Sequence, residues 1–209
     1  MIKLMNISKS FDDHIIFNDF SLHIRENEMV AITGASGSGK TTLLNIMGLL
    51  EPYDSGTITI DGQSNISPNT VLSNKIIREK ICYLFQNFAL VDDETVDYNL
   101  DLALKYRKES KREKAVLKQN ALKRVGLDGY MNKKIYTLSG GEQQRVSIAR
   151  AMLKPNKIIL ADEPTGSLDE KNKLIIIDLL RYLKSRGKTI VLVTHDYYLS
   201  GCCDRRIEI

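Results

Sequence analysis

Alternating stretches and compact apolar runs divide this chain into separate pieces. Residues 2–7 and 20–24 alternate apolar and polar side chains, which predicts half-exposed β-strands. Residues 29–33 form a short apolar run instead, the pattern of a buried strand, and Leu43, Leu44, Ile46 and Met47 behind it fall at helical spacing. A turn cluster at residues 51–56 precedes a short strand at 57–60, which Asp61-Gly62 ends. Further core strands are predicted at 81–85, at 157–161 and at 189–193. Between residues 95 and 125, Leu100, Leu102, Leu104, Val116, Leu117, Ala121, Leu122 and Val125 recur at helical intervals, so a helical insert separates two β-containing parts. Apolar positions from Val146 to Leu153 and from Leu174 to Leu183 predict two more helices.

The candidate chemistry sits where these pieces meet. Between the strand at 29–33 and its helix lies Gly34-Ala35-Ser36-Gly37-Ser38-Gly39-Lys40-Thr41, which fits the phosphate-binding pattern G-x-x-x-x-G-K-[ST]. Glycines let the backbone turn its N–H groups toward phosphate oxygens, Lys40 reaches the β/γ-phosphates, and Thr41 offers a hydroxyl to Mg²⁺. A chance match in a chain of this length is on the order of 1%. The sequence therefore predicts a nucleotide phosphate site at a helix N-terminus.

Five other places along the chain bear on that site. The strand at 157–161 runs into Asp162 and Glu163, and two carboxylates ending a buried strand are costly unless they act. Asp162 is the expected holder of Mg²⁺, and Glu163 is placed to orient or deprotonate an attacking water. Gln86 and His195 each end a core strand, where open α/β sheets bind ligands. Phe11 is read in a polar turn, either stacked on a flat base or buried to close a hairpin. Finally, Ser139-Gly140-Gly141-Glu142 combines a capping box with two glycines at a helix start, a second anion-binding signature.

Composition narrows the class without naming it. A chain of 209 residues suffices for one domain with a sizeable core, and a net charge of +4 does not by itself argue for nucleic acid. Residues 105–118 hold seven basic residues against two acids, a face that is either solvated or turned to an anionic partner. Cys82, Cys202 and Cys203 make no metal-ligand spacing and suggest a reducing, cytoplasmic setting. No apolar run reaches the length needed to span a bilayer, and the N-terminus has no signal pattern.

Together these residues resemble the nucleotide-binding subunit of an ATP-binding-cassette (ABC) transporter, over essentially the whole chain. Leu138-Ser139-Gly140-Gly141-Glu142-Gln143 is similar to the family signature, the most specific of the matches. The resemblance implies an α/β fold: a P-loop NTPase cassette with a mainly parallel RecA-like core sheet, an N-terminal antiparallel β subdomain and a helical insert. Residues 1–209 would form a single ATP-binding domain, with the helical subdomain roughly at 92–150.

The resemblance also implies an ATPase with ATP and Mg²⁺ as ligands. Phe11 matches the adenine-stacking aromatic, although the family more often has Tyr there. Gly34 to Thr42, including Thr42 itself, match the phosphate loop. Thr41, Gln86 and Asp162 would hold the metal. Glu163, His195, Gln86 and Lys40 would carry catalysis, and Ser167-Leu168-Asp169 match the D-loop. Two cassettes, in a homodimer or pseudo-dimer, would close head-to-tail, so that Ser139, Gly140, Gly141 and Glu142 of one reach the ATP held by the other.

The expected partner is a separately encoded membrane permease, which would hold the cassette on the inner face of the cell membrane. Residues 85–90 and 161–169 most resemble exporters of the macrolide-efflux, lipoprotein-releasing and bacteriocin-export type, with peptide or antimicrobial cargo; residues 99–104 and 133–136 resemble the bacteriocin branch in particular. The lack of an accessory domain, common in sugar importers, also points to export. A mechanotransmission cassette is the alternative. A soluble ribosome or DNA cassette is disfavoured by the single P-loop and the 52 residues between Gln86 and Ser139, so no nucleic acid is expected. The apolar residues Phe88 to Val91 are read as core or as a permease contact, the second preferred.

Overall fold

The computed structural model describes residues 1–166 and 168–209. Its elements run β1 (Ile2–Phe11), β2 (His14–Ile24), β3 (Met29–Thr33), α1 (Lys40–Met47), β4 (Ser55–Ile60), β5 (Gln63–Ser64), α2 (Val71–Glu79) and β6 (Ile81–Leu84). They continue with α3 (Val96–Leu104), α4 (Lys111–Arg124), a 3₁₀ turn at Ile135–Thr137, α5 (Gly140–Leu153), β7 (Ile158–Asp162), α6 (Glu170–Ser185), β8 (Thr189–Val193), α7 (Tyr197–Gly201) and β9 (Arg205–Glu208).

Two sheets carry the fold. A parallel sheet has the order β6-β7-β8-β3-β9, and an antiparallel sheet has the order β2-β1-β4-β5. The apolar runs explain the parallel sheet, because alternate residues point to opposite faces and both faces are covered. Met29 and Ala31 face the core formed with α3–α6, while Val30 and Ile32 face the core formed with α1 and the antiparallel sheet. Ile159 and Ala161 of β7 divide from Ile158 and Leu160 in the same way.

Several expectations are refined. β1 is ten residues long, and its alternation breaks at Asn6 (φ 53°), where the pairing with both neighbours shifts register. Gly56 accepts that bulge: at φ 104° it lies so close that a Cβ would stand 2.5 Å from the Asn6 carbonyl oxygen. Phe11 is the last residue of β1, not a turn residue; the turn is Asp12-Asp13. The helical stretch read from 95 to 125 is two helices, each restarted by its own cap: Thr95 accepts from the Tyr98 N–H, and Ser110 makes a capping box with Glu113. Leu102 and Val116, at helical spacing, are exposed rather than core.

Candidate functional site

The phosphate loop stands at the C-terminal end of the parallel sheet, between β3 and α1. The chain leaves β3 through Gly34 (φ 151°), where a Cβ would collide with the Ile209 carbonyl oxygen at 2.0 Å. It enters α1 through Gly39 (φ 90°), where a Cβ would stand 2.4 Å from Ile16 Cγ2. No other residue fits either place. Between them, Ala35, Ser36 and Gly37 are exposed, and the Ser38 hydroxyl is buried with no partner. Lys40 is 6% exposed, and its Nζ donates to the Gly34 and Ala35 carbonyls at 3.0 and 2.6 Å. The ammonium is thus held over the loop it would share with an anion.

A cleft of about 580 Å³ opens beside this loop. Ser36, Gly37, Gly39, Lys40, Thr41 and Thr42 form one wall, and Gln86, Asp162, Glu163 and His195 come in from the ends of β6, β7 and β8. Thr41 Oγ1 lies 3.5 Å from Asp162 Oδ1. Burial pushes the Asp162 carboxyl up, against the hydrogen bond from Thr41 and the charge of Lys40. Burial likewise raises Glu163, while the His195 backbone N–H and ring pull it down. His195 Nε2 stands 3.5 Å from Glu163 Oε1, too long for a strong hydrogen bond, and the His195 N–H points at Oε2 at 3.4 Å. Glu163 takes φ 45°, a left-handed conformation rare for a non-glycine residue.

A hydroxyl and a carboxylate converging on one cleft beside a phosphate loop form an oxygen donor set. Mg²⁺ takes such a set, keeping its remaining positions for water and phosphate oxygens. Among the described residues no group of three His, Cys, Asp or Glu side chains is placed to hold a metal ion.

The signature residues stand elsewhere. Ser139 and Gly140 are exposed at the N-terminus of α5, and neither lines the cleft. The expected capping box is present: the Ser139 N–H donates to Glu142 Oε2 at 2.8 Å, and Ser139 Oγ accepts from the Glu142 N–H at 3.4 Å. Tyr130 donates its hydroxyl to Glu142 Oε1, and these bonds hold the carboxyl below its ordinary range. Phe11 is also outside the cleft lining, 43% exposed, with Lys9 Nζ over one face of its ring at 4.3 Å. Of the expected D-loop, Ser167 lies outside the described residues; Asp169 caps α6 by accepting from the Asn172 N–H.

Two features escaped the sequence reading. Ile16 of β2 lines the cleft against Gly39, brought there by sheet packing that no local pattern announces. A groove of about 790 Å³ runs between β6, α2, α3 and α5, lined by Phe85, Ala89, Leu102, Tyr106, Arg150 and Lys154 among others. The structure divides residues 88–91 between the two readings. Ala89 lines the groove, Phe88 faces Gly140, Leu90 packs on the core, and Val91 is 41% exposed. Phe88 and Ala89 both adopt positive φ, so their carbonyls turn to Arg150, which donates to each.

Comparison with known proteins agrees with this geometry. The family model described as ABC transporter matches residues 17–166. The chain is 41% identical over 209 residues to the macrolide export ATP-binding/permease protein MacB of Campylobacter jejuni, covering all of this chain and 33% of that protein. It is 38% identical to MacB of Mannheimia succiniciproducens, with the same coverage of each. It spans about a third of these relatives. Among solved structures, the dimeric MJ0796, described as a bacterial ABC transporter cassette, superposes with a TM-score of 0.91 at 39% identity, over 100% of this chain and 94% of that one. A second structure of that cassette, in a post-hydrolysis state bound to ADP and Pi, gives 0.90.

Proposed function

Because this chain belongs to the ABC transporter family, as an ATP-binding and ATP-hydrolysing cassette, we propose that the cleft beside Lys40 and the helix start at Ser139 are two halves of one ATP site. One observation supports this above the others: the phosphate loop and both carboxylates converge on a cleft, while a second anion-binding start is left exposed elsewhere on the surface. Two copies in head-to-tail contact bring the halves together, with ATP between them.

In this reading the backbone N–H groups from Ala35 to Thr42 and the Lys40 ammonium hold the phosphates, and Phe11 stacks on the adenine. Thr41 and Asp162, with Gln86 beside them, hold Mg²⁺, which supplies charge neutralisation at the phosphates. Glu163 takes the proton of the attacking water. Its burial raises its basicity, while the His195 backbone N–H and ring, which face the carboxylate, pull it down and orient it. Ser139, Gly140, Gly141 and Glu142 of the facing copy close over the terminal phosphate.

The coupled partner is a transmembrane permease seated in the groove lined by Ala89, Leu102 and Tyr106, which places the cassette on the inner face of the membrane. No helix among the described residues is long and apolar enough to cross a bilayer. Residues 92–150 serve as the helical subdomain of a single ATP-binding domain spanning 1–209. We read the transport as export of macrolide-like, antimicrobial or peptide cargo, from the likeness to MacB.

Glu163→Gln tests the core of this proposal. The variant keeps MgATP binding, loses about 10²–10⁴-fold in hydrolysis, and accumulates as an ATP-bound dimer in sedimentation. Near-wild-type turnover by the purified variant removes Glu163 from the role of base.

A further inference from the structure

The helix that starts at Ser139 also holds the loop that follows β7. Gln144, 1% exposed, donates from Nε2 to the Pro164 carbonyl at 3.0 Å. The next residue, Arg145, donates to Asn172 Oδ1 near the start of α6. Thus α5 is tied to Pro164 of this loop and, separately, to α6, and Pro164 is the contact beside the chemistry. Glu163 keeps its left-handed backbone only because its surroundings impose it. Its N–H donates to the Val193 carbonyl, and its own carbonyl accepts from Gly166, so both tethers of that peptide are local to the strand ends. Among the described residues, the hydrogen bond from Gln144 Nε2 to the Pro164 carbonyl is what joins this stretch to the signature helix.

Gln144 is also an expensive residue to place here. Its Oε1 is buried with no hydrogen-bond partner, and a buried acceptor left unsatisfied costs stability that an apolar side chain of the same shape would not. We infer that Gln144 is a positioning residue for Glu163: through Pro164 it makes the carboxylate of one ATP site move with the helix whose Ser139 end closes the other. The inference rests on the shared-site reading above. Contact of Ser139 with the facing copy's nucleotide shifts α5, α5 carries Gln144, and Gln144 sets Pro164 and with it Glu163. The two ATP sites of a dimer are thereby coupled within each copy.

The test uses the full chain with Gln144→Met, which keeps length and volume but cannot donate. Ser147→Ala, at a fully buried hydroxyl one turn further along α5, controls for packing. Rates are expressed per ATP-binding molecule, so partial unfolding does not count as lost catalysis. In the expected result Gln144→Met binds ATP like the wild type and, combined with Glu163→Gln, still forms the ATP-driven dimer. Its kcat falls about 10- to 100-fold with little change in KM, because a small misplacement of a reacting group costs rate rather than binding. Its ATP dependence also loses sigmoidality, while Ser147→Ala keeps both. An unchanged kcat overturns the inference, as does a loss shared equally by Ser147→Ala. If the wild type itself neither binds ATP nor dimerises with it, the shared-site reading is what fails.

Discussion

Gly140 and Gly141 are adjacent, yet the structure asks different things of them. A Cβ on Gly140 would meet only Phe88 Cζ, at 3.8 Å. A Cβ on Gly141 would fall 2.5 Å from Asn172 Cγ, and Asn172 cannot swing aside freely because it is bonded to Asp169 and to Arg145. Gly141→Ala is therefore expected to destabilise the fold by about 1–3 kcal/mol, seen as a lower melting temperature. Gly140→Ala should melt like the wild type and show its effect only in weaker ATP-dependent dimerisation. At this scale the motif residues were legible in the sequence because their types and spacing are themselves the chemical requirement. Ile16 and Gln144 were not, since each acts through a contact that exists only after distant elements pack. The apolar run after Gln86 could not be divided from the sequence for a related reason: hydropathy does not say that Phe88 and Ala89 take positive φ, and that backbone turn sends their neighbours to different surroundings.

Among the elements, strands with both faces buried announced themselves, because β3, β7 and β8 are apolar at nearly every position. Elements held mainly by backbone pairing or by caps did not. The four residues of β9 are Arg-Arg-Ile-Glu, yet they pair in parallel with β3. The N-terminal cap of α2 is Thr70 with Ser73, without the acidic partner that makes such boxes visible, and only Ser73 and Ile76 of the helix are buried. The join between the two sheets was equally silent. Asp61, in the turn after β4, accepts from Lys80 before β6 and from Lys157 before β7 at 3.1–3.2 Å. The Lys80 bond, then Lys157, holds the Asp61 carboxyl below its ordinary value against a small burial penalty. A depressed carboxyl contributes stability above its unfolded pKa and loses it as the pH falls through the folded one. Asp61→Asn keeps a residue tolerant of the φ of 48° found there. It should cost about 0.5–1 kcal/mol at neutral pH, the range for partly exposed pairs, and the gap from wild type should close below about pH 4 in denaturant titrations.

At the scale of the whole molecule, the ATP cleft and the groove share no lining residue, and the segment after β6 runs between them: Gln86 lines the first and Ala89 the second. Leu102 (43% exposed) and Tyr106 (67% exposed) stand at the groove's rim with little to stabilise in the isolated cassette. Leu102→Glu with Tyr106→Ala should therefore leave melting temperature and ATP affinity unchanged while abolishing co-purification with the permease and its stimulation of hydrolysis. A variant that retains both assigns the groove to something other than docking. The parallel sheet has one more consequence, and it concerns time. The strand that delivers the phosphate loop is flanked by β8 and β9, and the Met29 N–H is held by Asp204, 175 residues downstream. A ribosome must therefore make nearly all of this chain before β3 gains either neighbour. Until then an apolar strand with two open edges waits in the nascent polypeptide, the kind of segment that chaperones cover and that aggregates when they do not. Nucleotide binding is thus a late property of synthesis: chains stalled before β8 should bind no ATP and should be cleared by proteases, although they already contain every residue of the loop.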